Sequence, residues 1–227
     1  MLHSYFPLSN AFASPFGDIP TLARTIGDLQ DSCSDVSLLG SFSENHDVPR
    51  FPTKSDDIAL AKNVLAFTVF GGGIPVLYQG QEQHFKGVGG KDPYNREALW
   101  SSGYDRNHEL YRYITRLNQY RRRFMVSDAA FLSAPVNVIA TDSHTLTIKR
   151  ADLLIAFSNR GSNGGNFSTS VRSGYDPGSS VIELVTCTTQ VVKSGGMIDI
   201  TISNGQPSFY YTNALTSTIC WNALRNR

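Results

Sequence analysis

The chain has 227 residues, of which 20 are lysine or arginine and 19 are aspartate or glutamate, giving a formal net charge of +1. Because this balance is near neutral and the basic residues are scattered, we expect neither nucleic acid nor a membrane surface as a partner. No apolar run approaches the roughly 18 residues of a membrane span. The length allows one large domain or two smaller ones with buried cores.

The beginning of the chain has only part of a signal-peptide pattern. Met1 to Phe16 is mildly apolar, and Ala11-Phe12-Ala13 is similar to a small-residue cleavage site. However, the basic region of a signal peptide is missing, and polar residues and a proline interrupt the apolar stretch. We therefore expect no signal peptide in this chain and expect Met1 to lie inside a domain.

The first half of the chain alternates between helical and strand patterns. Apolar residues recur at helical spacing through Thr21–Asp31, which predicts an amphipathic helix. Val36–Phe42 is a compact apolar run and predicts a buried strand. A second helix is predicted from a cap at Ser55 to Phe70, where three glycines follow. A second buried strand is predicted over Ile74–Tyr78.

A last helix precedes a change in periodicity. Apolar residues from Leu110 to Tyr120 follow helical spacing, and this helix is predicted to end in Arg121-Arg122-Arg123, whose charges complement the helix dipole. From about Ala130 onward, apolar and polar residues alternate and turn residues separate the runs. This pattern predicts six short strands: Val136–Ala140, Thr145–Lys149, Leu153–Ser158, Val181–Val185, Met197–Ile202 and Ser208–Tyr211.

The order of these elements predicts two architectures in one chain. Alternating helices and strands indicate a parallel sheet, because parallel strands need a crossover between them. In a (β/α)8 TIM barrel the chemistry lies at the carboxyl ends of the strands, where both predicted strands here carry polar clusters. A complete barrel needs roughly 200–250 residues. We therefore predict the C-terminal part of such a barrel over residues 1–126 and an antiparallel β-sandwich or barrel over 127–227.

The densest polar cluster is Glu44-Asn45-His46-Asp47, directly after the first predicted strand. Its carboxylates and imidazole are groups that bind ligands or transfer protons. His46, Asp47 and His84 also carry metal-ligating atoms, but a compact spacing such as His-x-x-x-His is absent, so we predict no metal site. Trp100 is interpreted as a core residue.

Several segments, in the same order, resemble the alpha-amylases of glycoside hydrolase family 13. Leu38–Asp47 is similar to their seventh-strand motif, and Asp56–Asn63 with Gly73–Gln83 to the segment through the eighth strand. Asp92–Trp100 resembles the substrate loop of the fungal-type enzymes, and the similarity runs from about Leu8 to the C-terminus. The resemblance implies the C-terminal part of a (β/α)8 TIM barrel followed by a Greek-key β-sandwich called domain C.

The resemblance implies retaining endohydrolysis of α-1,4-glucosidic bonds in starch, glycogen or maltooligosaccharides. Asp47 matches the aspartate that stabilises the transition state, and His46 matches a histidine that binds sugar hydroxyls. Asp92 and Arg96 match residues that contact neighbouring glucose units. A carboxylate suits this role because the transition state resembles an oxocarbenium ion.

The chain departs from the family pattern at the catalytic pair. The family's nucleophile and general acid/base follow its fourth and fifth strands, and both precede the region that corresponds to Met1. The main ligands of the calcium ion that the family implies also lie upstream. We therefore expect the isolated chain to be inactive. The alternative is a catalytically silent remnant that acts as a glucan-binding or interaction module.

One internal alternative to the missing pair is Glu44 with Asp47, since retaining enzymes hold two carboxyl groups roughly 5–5.5 Å apart. Nothing in the sequence distinguishes this pair from ordinary polarity at a strand end. A partial barrel would also expose strand edges and apolar faces, so self-association is expected.

Three cysteines leave at least one without an internal partner. The resemblance implies a disulfide between Cys187 and Cys220, in the strand-rich region, and an unpaired Cys33 whose family partner lies upstream. It also implies an extracellular protein. Asn166-Phe167-Ser168 is a single candidate glycosylation sequence in a glycine-rich loop.

Overall fold

The structure is a computed structural model that describes residues 5–87, 95–212 and 220. Within the described part that precedes the β-rich region, it contains four α-helices, four short 3₁₀ helices and two short strands. The α-helices are α1 (Tyr5–Ala11), α2 (Ile19–Ser32), α3 (Ile58–Phe70) and α4 (Glu109–Ser127), and the strands are β1 (Gly40–Ser41) and β2 (Ile74–Pro75). β1 and β2 pair in parallel, as the crossover pattern predicts.

The predicted helices at Thr21–Asp31 and from Ser55 to Phe70 are confirmed, except for the capping residue of the second helix. The carboxylate of Asp18 caps α2 by accepting from Thr21 N at 2.9 Å. The cap of α3 is Asp57 and not the predicted Ser55. Asp57 Oδ1 accepts from the backbone N–H of Ala59 and Leu60 at 2.7 and 3.2 Å, because it lies one residue before the first turn. Every residue of α3 after Ile58 is buried, so this helix is covered on all sides.

The two predicted barrel strands are much shorter than expected. Val36–Leu38, at the start of the predicted Val36–Phe42 strand, forms a 3₁₀ turn that the side chain of Asp35 caps. The second strand keeps only Ile74 and Pro75 of the predicted Ile74–Tyr78. The pairing is closed by Ile74 N donating to Leu39 O and by Val76 N donating to Ser41 O, both at 2.8 Å.

The region after α4 is an antiparallel β structure in two layers. Six strands form one sheet in the order β3-β4-β5-β10-β7-β8, and β6 pairs with β9. Their bounds are β3 Val136–Thr141, β4 Thr145–Arg150, β5 Leu153–Ser158, β6 Asn166–Arg172, β7 Ser180–Glu183, β8 Thr189–Val191, β9 Met197–Ser203 and β10 Ser208–Tyr211. The six predicted strands are present. β6 and β8 were not predicted, because both are short of alternating apolar residues.

The second layer closes a sandwich over the sheet. Ile198, Ile200 and Ile202 of β9 pack in one buried cluster with Leu154 of β5 and Tyr210 of β10. This arrangement agrees with the predicted Greek-key β-sandwich.

Aromatic side chains join the helices to the sandwich in one core. The rings of Phe67 in α3 and Phe157 in β5 lie 5.7 Å apart, and those of Phe70 and Phe209 lie 5.9 Å apart. Asn63 of α3, fully buried, accepts from Ser158 N at 2.9 Å. The sandwich is therefore docked on α3 through both apolar and polar contacts. The predicted boundary at residue 126 stays a prediction.

Candidate active site

The segments that follow β1 and β2 meet at one edge of the parallel pair. The Nε2 atom of Gln81 donates to Ser43 Oγ at 2.8 Å, and its Oε1 atom accepts from Tyr78 N at the same distance. Ser43 and Gln81 are both buried. Since the two strands are parallel, their carboxyl ends place both polar segments on the same side, as expected for a barrel.

Three of the predicted site residues come together at this edge. The Nε2 atom of His46 lies 3.2 Å from Asp47 Oδ2, and Nη2 of Arg96 lies 3.7 Å from Asp47 Oδ1. Arg96 Nε also donates to the carbonyl of His46 at 3.4 Å. The side chains of His46, Asp47 and Arg96 are 61%, 68% and 48% exposed, so a ligand can reach all three. The fourth predicted residue, Asp92, lies outside the described residues.

The backbone around Asp47 is held by two asparagines. Asn45 Oδ1 accepts from Asp47 N at 2.7 Å and from Val48 N at 3.0 Å. The fully buried Asn95 donates through Nδ2 to the carbonyls of Asn45 and Val48 at 3.1 and 2.8 Å. Because Asn95 directly precedes Arg96, these bonds bring Arg96 to Asp47 while the Asp47 carboxylate stays exposed. Asn95 is not among the site residues predicted from the sequence, although its position beside Arg96 in the substrate-loop motif is a usable signal.

The exposed side chains of His46, Asp47 and Arg96 form a rim at this edge. Glu44 lies beneath the rim and, unlike these three, is buried. It is 3% exposed, accepting from Phe51 N through Oε1 at 3.0 Å and from Arg50 Nη1 through Oε2 at 3.2 Å. Burial raises the pKa of Glu44 to about 7, against the opposing effects of the Phe51 hydrogen bond and the Arg50 charge. With both oxygens engaged by protein, Glu44 does not face a substrate together with the exposed Asp47. The alternative acid/base pair is therefore not formed.

Arg50 is a fully buried site residue that is not among those predicted from the sequence. Its Nε and Nη2 atoms donate to Glu97 Oε2 at 3.0 and 2.9 Å, and Nη1 donates to the carbonyl of Gln79 at 2.7 Å. The guanidinium also stacks 4.5 Å from the centre of the Tyr78 ring. Arginine is usually exposed, but the prolines and apolar residues on either side of Arg50 are a signal of burial that the sequence offers.

His84 does not join His46 and Asp47. Its Nε2 atom lies 3.0 Å from Asp56 Oδ1, and Lys86 Nζ contacts the other oxygen of Asp56 at 2.5 Å. Burial lowers the pKa of His84, although the Asp56 carboxylate acts in the opposite direction. Among the described residues no group of three or more histidine, cysteine, aspartate or glutamate side chains is placed to hold a metal ion. Calcium also binds carbonyl and amide oxygens, so the expectation about the calcium ion that the family implies stays a prediction.

The remaining predicted residues lie away from this rim. Cys187 and Cys220 form a disulfide, and Cys33 is free and half-buried in the wall of a cavity of about 360 Å³ at the amino end of β1. Asn166 begins β6 and is exposed, and its glycosylation stays a prediction. The interpretation of Trp100 as core is wrong, because this side chain is 72% exposed on a 3₁₀ turn that follows Glu97.

The chain matches two known families in sequence. Residues 9–107 match the family described as alpha amylase, catalytic domain, and residues 138–226 match alpha-amylase, domain C. Alpha-amylase 1 of Schwanniomyces occidentalis is 39% identical over 94% of this chain and 42% of its own length. The alpha-amylase of Saccharomycopsis fibuligera is 36% identical over 95% of this chain and 43% of its own length.

The chain is also similar to solved structures of alpha-amylases. An alpha-amylase from Malbranchea cinnamomea superposes with a TM-score of 0.88 at 38% identity, over 98% of this chain and 46% of that one. An alpha-amylase from Geobacillus thermoleovorans, solved with acarbose, has a TM-score of 0.77 at 18% identity over 92% of this chain and 46% of that one, and shows the shared fold alone. The chain thus spans less than half the length of these relatives.

Proposed function

The chain belongs to the alpha-amylase family of glycoside hydrolases, and from this premise we propose that it supplies the Asp47 side of a site for retaining endohydrolysis of α-1,4-glucosidic bonds. The observation that supports the proposal is the exposed Asp47 carboxylate, 3.2 Å from the His46 ring and 3.7 Å from Arg96. All three side chains face solvent at the carboxyl ends of β1 and β2, above a buried polar frame.

The proposed role of Asp47 is electrostatic. Positive charge develops at the anomeric carbon as the glycosidic bond breaks, and a fixed carboxylate beside the sugar stabilises that charge. His46 and Arg96 carry hydrogen-bond donors that suit glucose hydroxyls, and Asp92 is proposed as a further sugar contact. Since Asn45 and Asn95 fix the backbone here, little reorganisation is needed when a sugar binds.

We further propose that residues 1–227 do not hydrolyse glucan by themselves. Retaining hydrolysis needs a nucleophile and a general acid/base. Glu44 is the nearest carboxyl group in the sequence, and it is buried against Arg50 and Phe51 N. The family resemblance assigns both roles to strands that have no counterpart in this sequence. The second candidate function, a glucan-binding module without catalysis, is favoured by the exposure of the rim, where no second carboxylate among the described residues contacts Asp47.

The proposal also includes an extracellular location for the protein. The disulfide between Cys187 and Cys220 is typical of an oxidising compartment and supports an extracellular location. None of the described helices is long and apolar enough to cross a membrane.

Leu38, Ile74 and Val76 are 71%, 53% and 46% exposed around the short strands, which supports self-association through this face.

The test combines hydrolysis with binding. We expect no release of reducing ends from soluble starch by the purified chain, and measurable binding of maltoheptaose by isothermal titration calorimetry. Asp47→Asn should weaken this binding by about tenfold, the equivalent of one charge-assisted hydrogen bond. The exposed Asp176 of the sandwich offers a matched control, and Asp176→Asn should bind as the wild type does. Starch hydrolysis that Asp47→Asn abolishes would overturn the proposed inactivity, and equal binding by all three proteins would overturn the role of Asp47.

A further inference from the structure

One buried side chain connects the segments that carry the exposed rim. Arg50, with no exposed surface, donates to Glu44 at 3.2 Å, to Glu97 at 2.9 and 3.0 Å, and to the carbonyl of Gln79 at 2.7 Å. These acceptors belong to three stretches of chain: the one after β1, the one after β2 and the one before α4. A guanidinium can make these bonds together because its donors point in fixed, divergent directions.

The acceptors are close in sequence to the residues that a sugar would contact. Glu44 is two residues before His46 and three before Asp47, and Glu97 directly follows Arg96. Glu97 is itself fixed through Oε1, which accepts from Gly87 N at 2.6 Å. A displacement of Arg50 would therefore be transmitted to both sides of the 3.7 Å contact between Arg96 and Asp47.

We propose that Arg50 is a positioning residue for the rim, and that the charge on Glu44 sets how Arg50 divides its hydrogen bonds between the two carboxylates. The proposal deepens the proposed function, because it concerns the distance between Asp47 and Arg96 that a sugar would meet. When Glu44 is ionised, it holds Arg50 Nη1 through a charge-assisted hydrogen bond, while Glu97 accepts from Nε and Nη2. When Glu44 is protonated, Arg50 is left paired with Glu97 alone, and the segment that carries Asp47 is released from that pull.

The surroundings of Glu44 support titration near neutral pH. Among the residues that the structure describes, the charged groups that face it are Arg50, from the same segment, and Glu97, whose negative charge opposes ionisation. Burial, and to a smaller extent the charge of Glu44, raises the pKa of the Tyr5 hydroxyl in α1, and His84 lines the same small cavity as Glu44. Burial is the largest effect and raises the pKa of Glu44 to about 7.

The test follows the backbone amides of Asp47 and Arg96 by NMR across the neutral pH range, without any glucan. In the wild type we expect both amide shifts to include a step centred near pH 7. Glu44→Gln should remove that step, and His46→Gln is introduced into every protein compared, the wild type included, so that no imidazole lies beside the reporting amides. Arg50→Lys should also remove the step, because an ammonium cannot reach the three acceptors at once.

Matched variants separate positioning from general stability. Arg150 is an equally buried arginine in β4, and Arg150→Lys should keep the step even where it lowers the melting temperature. If Arg50→Lys does not fold, Glu97→Gln serves in its place, since it keeps the shape and removes one charge. A wild type without the step, or a step that persists in Glu44→Gln, overturns the proposal. No maltoheptaose binding by any of these proteins, with the step present in the wild type and absent from Glu44→Gln, would overturn the proposed function and leave the positioning role intact.

Discussion

The two parts of the chain hold their buried charges in different ways. In the sandwich, Glu183 accepts from the backbone N–H of Thr186 and Phe209, and Arg150 donates to the carbonyls of Phe131 and Leu132. Each of these charges is satisfied mainly by backbone. Near the rim, the buried charges are satisfied largely by one another, across segments far apart in sequence.

This difference separates a stable framework from a coupled site. When a charge is held by neighbouring backbone groups, its removal leaves no other buried ionised group without its partner. A charge held by other charges leaves them buried and uncompensated when it is removed. We therefore expect substitutions in the rim frame to have larger and more pH-dependent effects than equivalent substitutions in the sandwich.

The largest effect on the free energy of unfolding is expected for substitution of Arg50, compared with the same substitution of the buried Arg150 in the sandwich. Arg50→Met should reduce the free energy of unfolding by about 3–5 kcal/mol, because Glu44 and Glu97 then lose a shared buried partner. Arg150→Met should cost roughly 1–3 kcal/mol, since it removes hydrogen bonds to carbonyls only. Urea unfolding of both variants measures the difference. Equal losses would remove the distinction between the two parts.

A smaller effect is expected from the titration of Glu44. Its folded pKa of about 7 lies above the usual 4.5, so the folded chain binds more protons than the unfolded chain between these pH values. The free energy of unfolding should therefore fall as pH rises from 4.5 through 7, by up to about 3 kcal/mol. Glu44→Gln should flatten this part of the profile. An unchanged slope in denaturant unfolding at several pH values would show that another group titrates there.

The smallest effect concerns the contact between the parts. Asp57 caps α3 and also accepts, through Oδ2, from the backbone N–H and hydroxyl of Ser162 at 2.8 and 2.7 Å. Asp57→Ala should cost about 1–2 kcal/mol. Ser55→Ala, at the cap that the sequence predicted, should cost within about 0.5 kcal/mol. Thermal or urea unfolding distinguishes the two, and a larger loss for Ser55→Ala would restore the sequence-based assignment.

The sequence by itself determined the periodic elements. The helical spacing in α2, the apolar run of α3 and the alternation in β9 are local patterns, and each matches the burial of that element in the structure. The exposed residues His46, Asp47 and Arg96 were also identified from sequence, through motifs that resemble a known family. Such residues are recognisable because each motif is continuous in the chain.

Only the tertiary structure decided how these motifs are held together. Arg50 and Glu97 are 47 residues apart, and Asn95 and Val48 are equally distant, so no local pattern indicates that they are in contact. The exposure of Trp100 and the capping of α3 by Asp57 instead of Ser55 also depend on which residues lie nearby in the folded chain. Burial of a charged side chain depends on which distant groups can neutralise it, and that depends on the folded arrangement of the chain.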